Sequence, residues 1–139
     1  MKSPPHSSYV TFESPDLAYW HLLGRVEAAD IKRIYEKQLE FCKDKPFILV
    51  LIDVSRLENI TPEARRIAAE GPDPSREAMP VRGNVVIGAS FHFRVLGTLI
   101  DKAARLIHRS LDNPLHFTAT EAEARAWIEE RRRELQQRA

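Results

Sequence analysis

The 139-residue chain has one cysteine, Cys42, and five glycines scattered singly. It also has no excess of either charge: 21 Lys and Arg stand against 20 Asp and Glu, for a formal net charge of +1. One thiol can neither close an internal disulfide nor supply a thiolate metal centre with a second sulfur, which fits a reducing compartment. Near-neutrality supplies no global field to gather nucleic acid or an anionic membrane, so no nucleic-acid partner is expected. Isolated glycines make no phosphate cradle. No apolar run approaches the roughly 20 residues that cross a bilayer, and residues 1–8, rich in Pro and Ser, lack the apolar core of a signal peptide. The five histidines, His6, His21, His92, His108 and His116, have no metal-ligand spacing, so neither a metal nor a cofactor is expected. These absences exclude the membrane-spanning, secreted-scaffold and disordered classes and make a cytoplasmic location the default.

What is present, 43% hydrophobic and 29% charged residues in 16.0 kDa, suits one globular domain. Residues 1–8 read as a loose tail, 9–135 as the domain and 136–139 as a frayed C-terminus. Tyr9–Glu13 and Leu17–Leu23, joined by turn chemistry at Ser14-Pro15-Asp16, predict a β-hairpin. From about Val26 to Lys43 the period lengthens, with Ile31, Ile34, Tyr35, Leu39 and Cys42 on one helical face. After Pro46, the apolar run Phe47–Ile52 ending in Asp53 predicts a strand covered on both sides. Thr61-Pro62-Glu63 starts a short helix, which Gly71-Pro72 ends. A loop then runs through Gly83, with one helical turn expected at Ser75–Met79. Asn84–Gly88 is the next strand, and Ser90 caps a helix over Phe91–Arg109. Leu115–Thr118 is a last short strand, and Thr120–Glu123 is a capping box that opens the final helix. The order β-β-α-β-α-β-α-β-α predicts an α/β domain with a mixed, mainly parallel sheet of about five strands and four helices.

The third helix stands out. Phe93, Leu96, Leu99, Ile100, Ala103, Leu106 and Ile107 form a wide apolar stripe, opposite a basic side with Arg94, Lys102, Arg105 and Arg109. Stripes at helical spacing are core in most helices, which is the expectation here, with the wall of a ligand site as the alternative. The basic side is a candidate anion or membrane-surface contact. Residues from Val81 onward carry net +3, and residues 1–80 carry net −2.

Strand Ile48–Asp53 with Val54 and Ser55, the segment Ile60-Thr61-Pro62-Glu63-Ala64-Arg65, the strand end Val86–Ser90 and the helix start Thr120–Ile128 form a distinctive set. Together they resemble the SpoIIAA-like family of small bacterial STAS domains over about Tyr9 to Arg132. The resemblance implies a STAS fold related to CRAL-TRIO lipid-transfer domains and no enzymatic activity. It further implies either a regulatory protein partner or a small apolar or amphipathic, lipid-like ligand. In members that act as anti-sigma-factor antagonists, a Ser at the start of the helix after the central strand is phosphorylated by a partner kinase. The matching place here holds Thr61 followed by Pro62. The resemblance thus makes Thr61 and Ser55 candidate phosphorylation sites, and Ser55–Glu63 the segment that docks a kinase in the alternative reading.

Open α/β sheets bind ligands beyond the carboxyl ends of their strands, which nominates Asp53, Ser55, Thr61, Glu63, Ser90 and Phe93 as a binding rim. The competing reading has Asp53 and Ser55 holding their own turn. Ser90 also invites comparison with a hydrolase nucleophile, since Asp112 and His116 follow in the appropriate order. Gly88-Ala89-Ser90-Phe91-His92 lacks the second glycine of that turn, so a helix cap is the expectation and a serine hydrolase the least favoured alternative. Tyr9–Glu13, at a sheet edge, offers a surface for a homodimer.

Overall fold

The computed structural model describes residues 7–71, 79–107 and 112–138. Strands β1 (Tyr9–Glu13) and β2 (Leu17–Val26) form the hairpin, and helix α1 (Ala28–Cys42) leads to β3 (Ile48–Ile60). Helix α2 (Pro62–Glu70), strand β4 (Val81–Ile87), helix α3 (Phe91–Ile107), strand β5 (Leu115–Thr118) and helix α4 (Glu121–Gln137) follow. The sheet order is β1-β2-β3-β4-β5, with β1 antiparallel to β2 and every other neighbouring pair parallel. The α/β class, the nine elements and their order are those expected from the sequence.

Several boundaries differ. β3 continues past Asp53 to Ile60, because its second half pairs with β2 from Leu23 to Val26 through register shifts. Arg82 and Gly83 belong to β4 and not to a loop; Gly83 is buried where a side chain would meet Trp127 and Leu49. Ser8, read as part of the tail, is buried: its hydroxyl accepts from Leu23 N at 2.9 Å and its carbonyl from Arg33. α4 runs through Gln137, two residues beyond the expected end of the domain. The turn expected at Ser75–Met79 lies, except for Met79, outside the described residues.

Topology decides which face each helix covers. From β2 to β5 the chain always steps to the adjacent strand in the same direction, and right-handed crossovers then place α1, α2 and α3 on one face. There Trp20, Ile48, Val50 and Val86 pack with Ile31, Ile34, Tyr35, Ala64 and Ile67. Only α4 serves the other face, where Ala124 and Ile128 cover Leu49, Leu51, Val85 and Ile87. Two arginines fasten α4. Arg132 holds the buried Asp16 carboxylate through two bonds, at 2.8 and 2.6 Å, and the buried Arg131 donates to the Arg82 carbonyl at 2.6 Å.

One helix cannot cover five strands, and polar and aromatic groups close the β1–β2 side of this second face. His21 stacks between Tyr9 (4.4 Å between centroids) and Tyr19 (4.1 Å). The Tyr19 hydroxyl donates to Glu121, while Arg125 bridges Glu121 and Glu13. The Arg125 guanidinium holds both of these carboxyl groups below their ordinary range. Burial lowers the imidazole pKa of His21, outweighing the opposing pull of Asp53 and Glu121.

Two measurements follow from this arrangement. Gly88 has φ +74°, and a Cβ there would lie 2.9 Å from Ser55 Cβ, so Gly88→Ala should cost about 1–3 kcal/mol in urea unfolding. Because His21 binds its proton less readily folded than unfolded, stability should be complete above about pH 6.5 and fall as pH drops through that value toward the folded pKa. Replacing His21 with Phe should flatten that part of the urea-midpoint profile, leaving the loss at lower pH, where Glu13 and Glu121 take up protons.

Candidate functional site

A cavity of about 260 Å³ lies between the three-helix face of the sheet and the helices above it. Its floor is Trp20, Leu22, Val50, Ile52, Val86 and Phe117; Ile31, Tyr35 and Gln38 of α1 form one wall, and Ala68 and Ala69 of α2 another. The roof is α3, through Phe93, Leu96, Gly97, Ile100 and Ala104. The cavity exists because α3 fails to seat. None of its residues is buried, and it packs along α2 and touches β5, where Gly97 stands over Phe117. The reading of the α3 stripe as core is therefore corrected. Phe93, Leu96 and Ile100 line the cavity, while Leu99 (57% exposed), Leu106 (71%) and Ile107 (47%) face outward with Phe91 (83%) and Val95.

The polar groups of the cavity are few and mostly occupied. Tyr35 donates to the Ala68 carbonyl at 2.9 Å, and burial raises the pKa of its hydroxyl. Asn84 Nδ2 donates to Asn113 Oδ1 at 2.8 Å. Trp20 Nε1 donates to Gln38 Oε1 at 2.7 Å, and Gln38 Nε2 meets the Met79 sulfur at 3.5 Å. The two charged lining residues, Glu70 and Asp101, pair with Arg66 and Arg105.

Of the residues nominated from the sequence, only Phe93 lines this cavity. Asp53 Oδ1 accepts from the amide and the hydroxyl of Ser55, at 2.9 and 2.7 Å, so this pair holds its own turn. Thr61 caps α2 by accepting from Ala64 N at 3.2 Å, and Glu63 pairs with Arg66 on that helix. Ser90 caps α3, accepting from Phe93 N at 3.3 Å. The hydrolase constellation is not assembled: Asp112 pairs with Arg131 and Arg138, and the His116 ring stacks on Trp127. Arg94, Lys102 and Arg105 lie outside the cavity lining, and Arg109 falls outside the described residues. Sequence reasoning missed Gln38, Tyr35 and Met79. Gln38, on the inward face of α1 with Ile31, Ile34 and Tyr35, was the one available signal, as an amide where the helical period calls for an apolar residue.

No family model matches the chain, and no curated protein matches its sequence. Solved structures do. A DUF3478-family protein with a SpoIIAA-like fold from Shewanella loihica PV-4 matches with a TM-score of 0.55 at 16% identity, over 91% of this chain and 98% of that one. The anti-sigma-factor antagonist SpoIIAA in its unphosphorylated form matches with a TM-score of 0.56 at 12% identity, over 86% of this chain and 96% of that one. Five strands in one mixed sheet, three helices on one face and one on the other, matched nearly end to end by both structures, make this a SpoIIAA-like fold.

Proposed function

We propose that the chain is a non-enzymatic binding protein that holds a small apolar or amphipathic molecule under α3. The observation that carries this reading is a 260 Å³ apolar cavity roofed by a helix with no buried residue. An empty apolar space costs a folded protein packing energy, on the order of 24 cal/mol per Å³ in measured core cavities, and an occupant restores those contacts. The site is thereby moved from the carboxyl ends of β3 and β4, as expected from the sequence, to the space beneath α3.

The outward face of α3 supports a route for the ligand. Phe91, Val95, Leu99 and Leu106 are exposed, and Arg94, Lys102 and Arg105 are joined by a single acid, Asp101. An apolar ridge bordered by cations suits the surface of an anionic bilayer. A second copy docked ridge to ridge would instead bring like charges together. No described helix is long and apolar enough to cross a membrane, so this is a surface contact.

The likeness to SpoIIAA favours a second reading, a regulatory protein that docks on Ser55–Glu63. Thr61 already caps α2 there, and a phosphate on its hydroxyl would sit at the positive end of that helix. Incorporation of phosphate at Thr61 or Ser55, read by mass on protein from its native cells, would favour this reading over the first.

Two tests address the binding reading. Prodan, a small neutral fluorophore, should blue-shift and brighten with the wild-type protein. Ala104→Phe, which puts a ring into the cavity, should weaken that binding at least tenfold and raise the melting temperature by about 4 °C, roughly 1 kcal/mol. Equal uptake by both proteins would count against the site. In flotation with vesicles of phosphatidylcholine and phosphatidylglycerol, Leu106→Asp should lower the bound fraction at least fivefold without changing prodan uptake. A wild-type dimer that Leu106→Asp converts to monomer, with no vesicle binding by either, would assign the ridge to a second copy.

A further inference from the structure

The cavity has no cation. Among its described lining residues the only charged ones are acids, Glu70 and Asp101, and the arginines that pair with them are not part of the lining. A carboxylate or phosphate drawn into this space would lose its water and find no counter-ion, the costliest kind of burial. An uncharged oxygen has a partner available. The indole N–H of Trp20 is only a donor, so the group it meets at 2.7 Å must be the Gln38 oxygen, which fixes the orientation of the amide. The Gln38 NH₂ is thereby directed elsewhere in a residue 1% exposed, and its recorded acceptor is the Met79 thioether at 3.5 Å. Thioether sulfur is a weak acceptor, and Gln38 and Met79 both line the cavity. The remaining donors are engaged: the Tyr35 hydroxyl on Ala68, and the Asn84 amide on Asn113.

We propose that the cavity selects neutral ligands, an apolar body bearing one uncharged hydrogen-bond-accepting oxygen (ketone, ester or aldehyde) that displaces Met79 from the Gln38 amide, and that it rejects free carboxylates. This rests on the reading of the cavity as a ligand site and adds the chemical class. It also separates the two polarities of α3: its cations serve the outer surface, and its inner side faces a space where an anion has no partner.

Three ligands of equal carbon number test the idea by calorimetry on the full chain: valerophenone, a neutral ketone; 5-phenylpentanoate, its anionic counterpart; and pentylbenzene, which has no oxygen. At pH 8 valerophenone should bind at least a hundredfold more tightly than 5-phenylpentanoate and about tenfold more tightly than pentylbenzene. The acid should gain affinity toward pH 5 as its neutral form becomes populated. The double variant Trp20→Phe with Gln38→Met removes the donor together with the indole N–H it would strand, so it avoids leaving an unpaired buried group. It should bring valerophenone to within twofold of pentylbenzene. Carboxylate bound as tightly as ketone at pH 8, or a ketone advantage that survives the double variant, would overturn the head-group assignment and leave the apolar site standing. Failure of all three ligands, pentylbenzene included, would overturn both.

Discussion

The structure depends on one topological constraint, the direction in which the chain crosses the sheet. Each step from β2 to β5 moves one strand the same way, and the handedness of the crossover then delivers three helices to a single face. The first two find ample sheet. α1 and α2 lie over the long strands β2 and β3 and bury Ile31, Ile34, Tyr35, Ala64 and Ile67. The third arrives where the sheet ends. β5 has four residues, about 13 Å of strand at 3.3 Å each, and α3 has 17, about 25 Å of helix at 1.5 Å each. A helix that overhangs its sheet cannot bury its stripe, and the cavity is the space left beneath it.

The opposite face meets the same arithmetic from the other side, since α4 alone cannot cover five strands. Its apolar side chains cover β3 and β4, and its arginines do the rest: Arg125 reaches Glu13, Arg131 the Arg82 carbonyl and Arg132 the buried Asp16. These contacts span more than forty residues of sequence each and tie the last helix to the hairpin and to the start of β4. Charge-assisted bonds to partly buried partners are worth more than exposed ion pairs, so the arginines at the end of this helix hold the fold together and are not merely a solvated terminus.

How much of this was legible in the sequence follows from what determines each part. Element order was legible because it is written in local periodicity: the change of period after Val26, the unbroken run Phe47–Ile52, and Pro62 behind the Thr61 cap. The extension of β3 to Ile60 was not, because Arg56, Glu58 and Asn59 are exposed and their strand conformation comes from pairing with β2. The site was misplaced for a related reason. Asp53, Ser55, Thr61 and Ser90 are polar residues at strand ends and helix starts, a pattern that functional sites share with ordinary turns and caps, and here hydrogen bonds within the chain occupy them. The stripe on α3 was visible, but its failure to be buried was not, since that depends on the brevity of β5 and on the distance between two elements.

Near-neutral net charge acquires a spatial meaning in this frame. The chain carries almost equal numbers of acids and bases, and α3 sorts them. Arg94 and Lys102 stand away from the cavity, Asp101 lies on its border in the grip of Arg105, and the interior has an amide, a thioether and hydrocarbon. Such a partition lets one helix answer to two environments at once. The outer ridge gains from anionic headgroups, a gain that weakens as salt screens it. The inner face responds to desolvation, which salt screens little and which discriminates by formal charge. A carrier built this way can approach a negatively charged surface and still leave the charged lipids behind, because the forces that bring it there and the forces that load it act on different sides of the same helix.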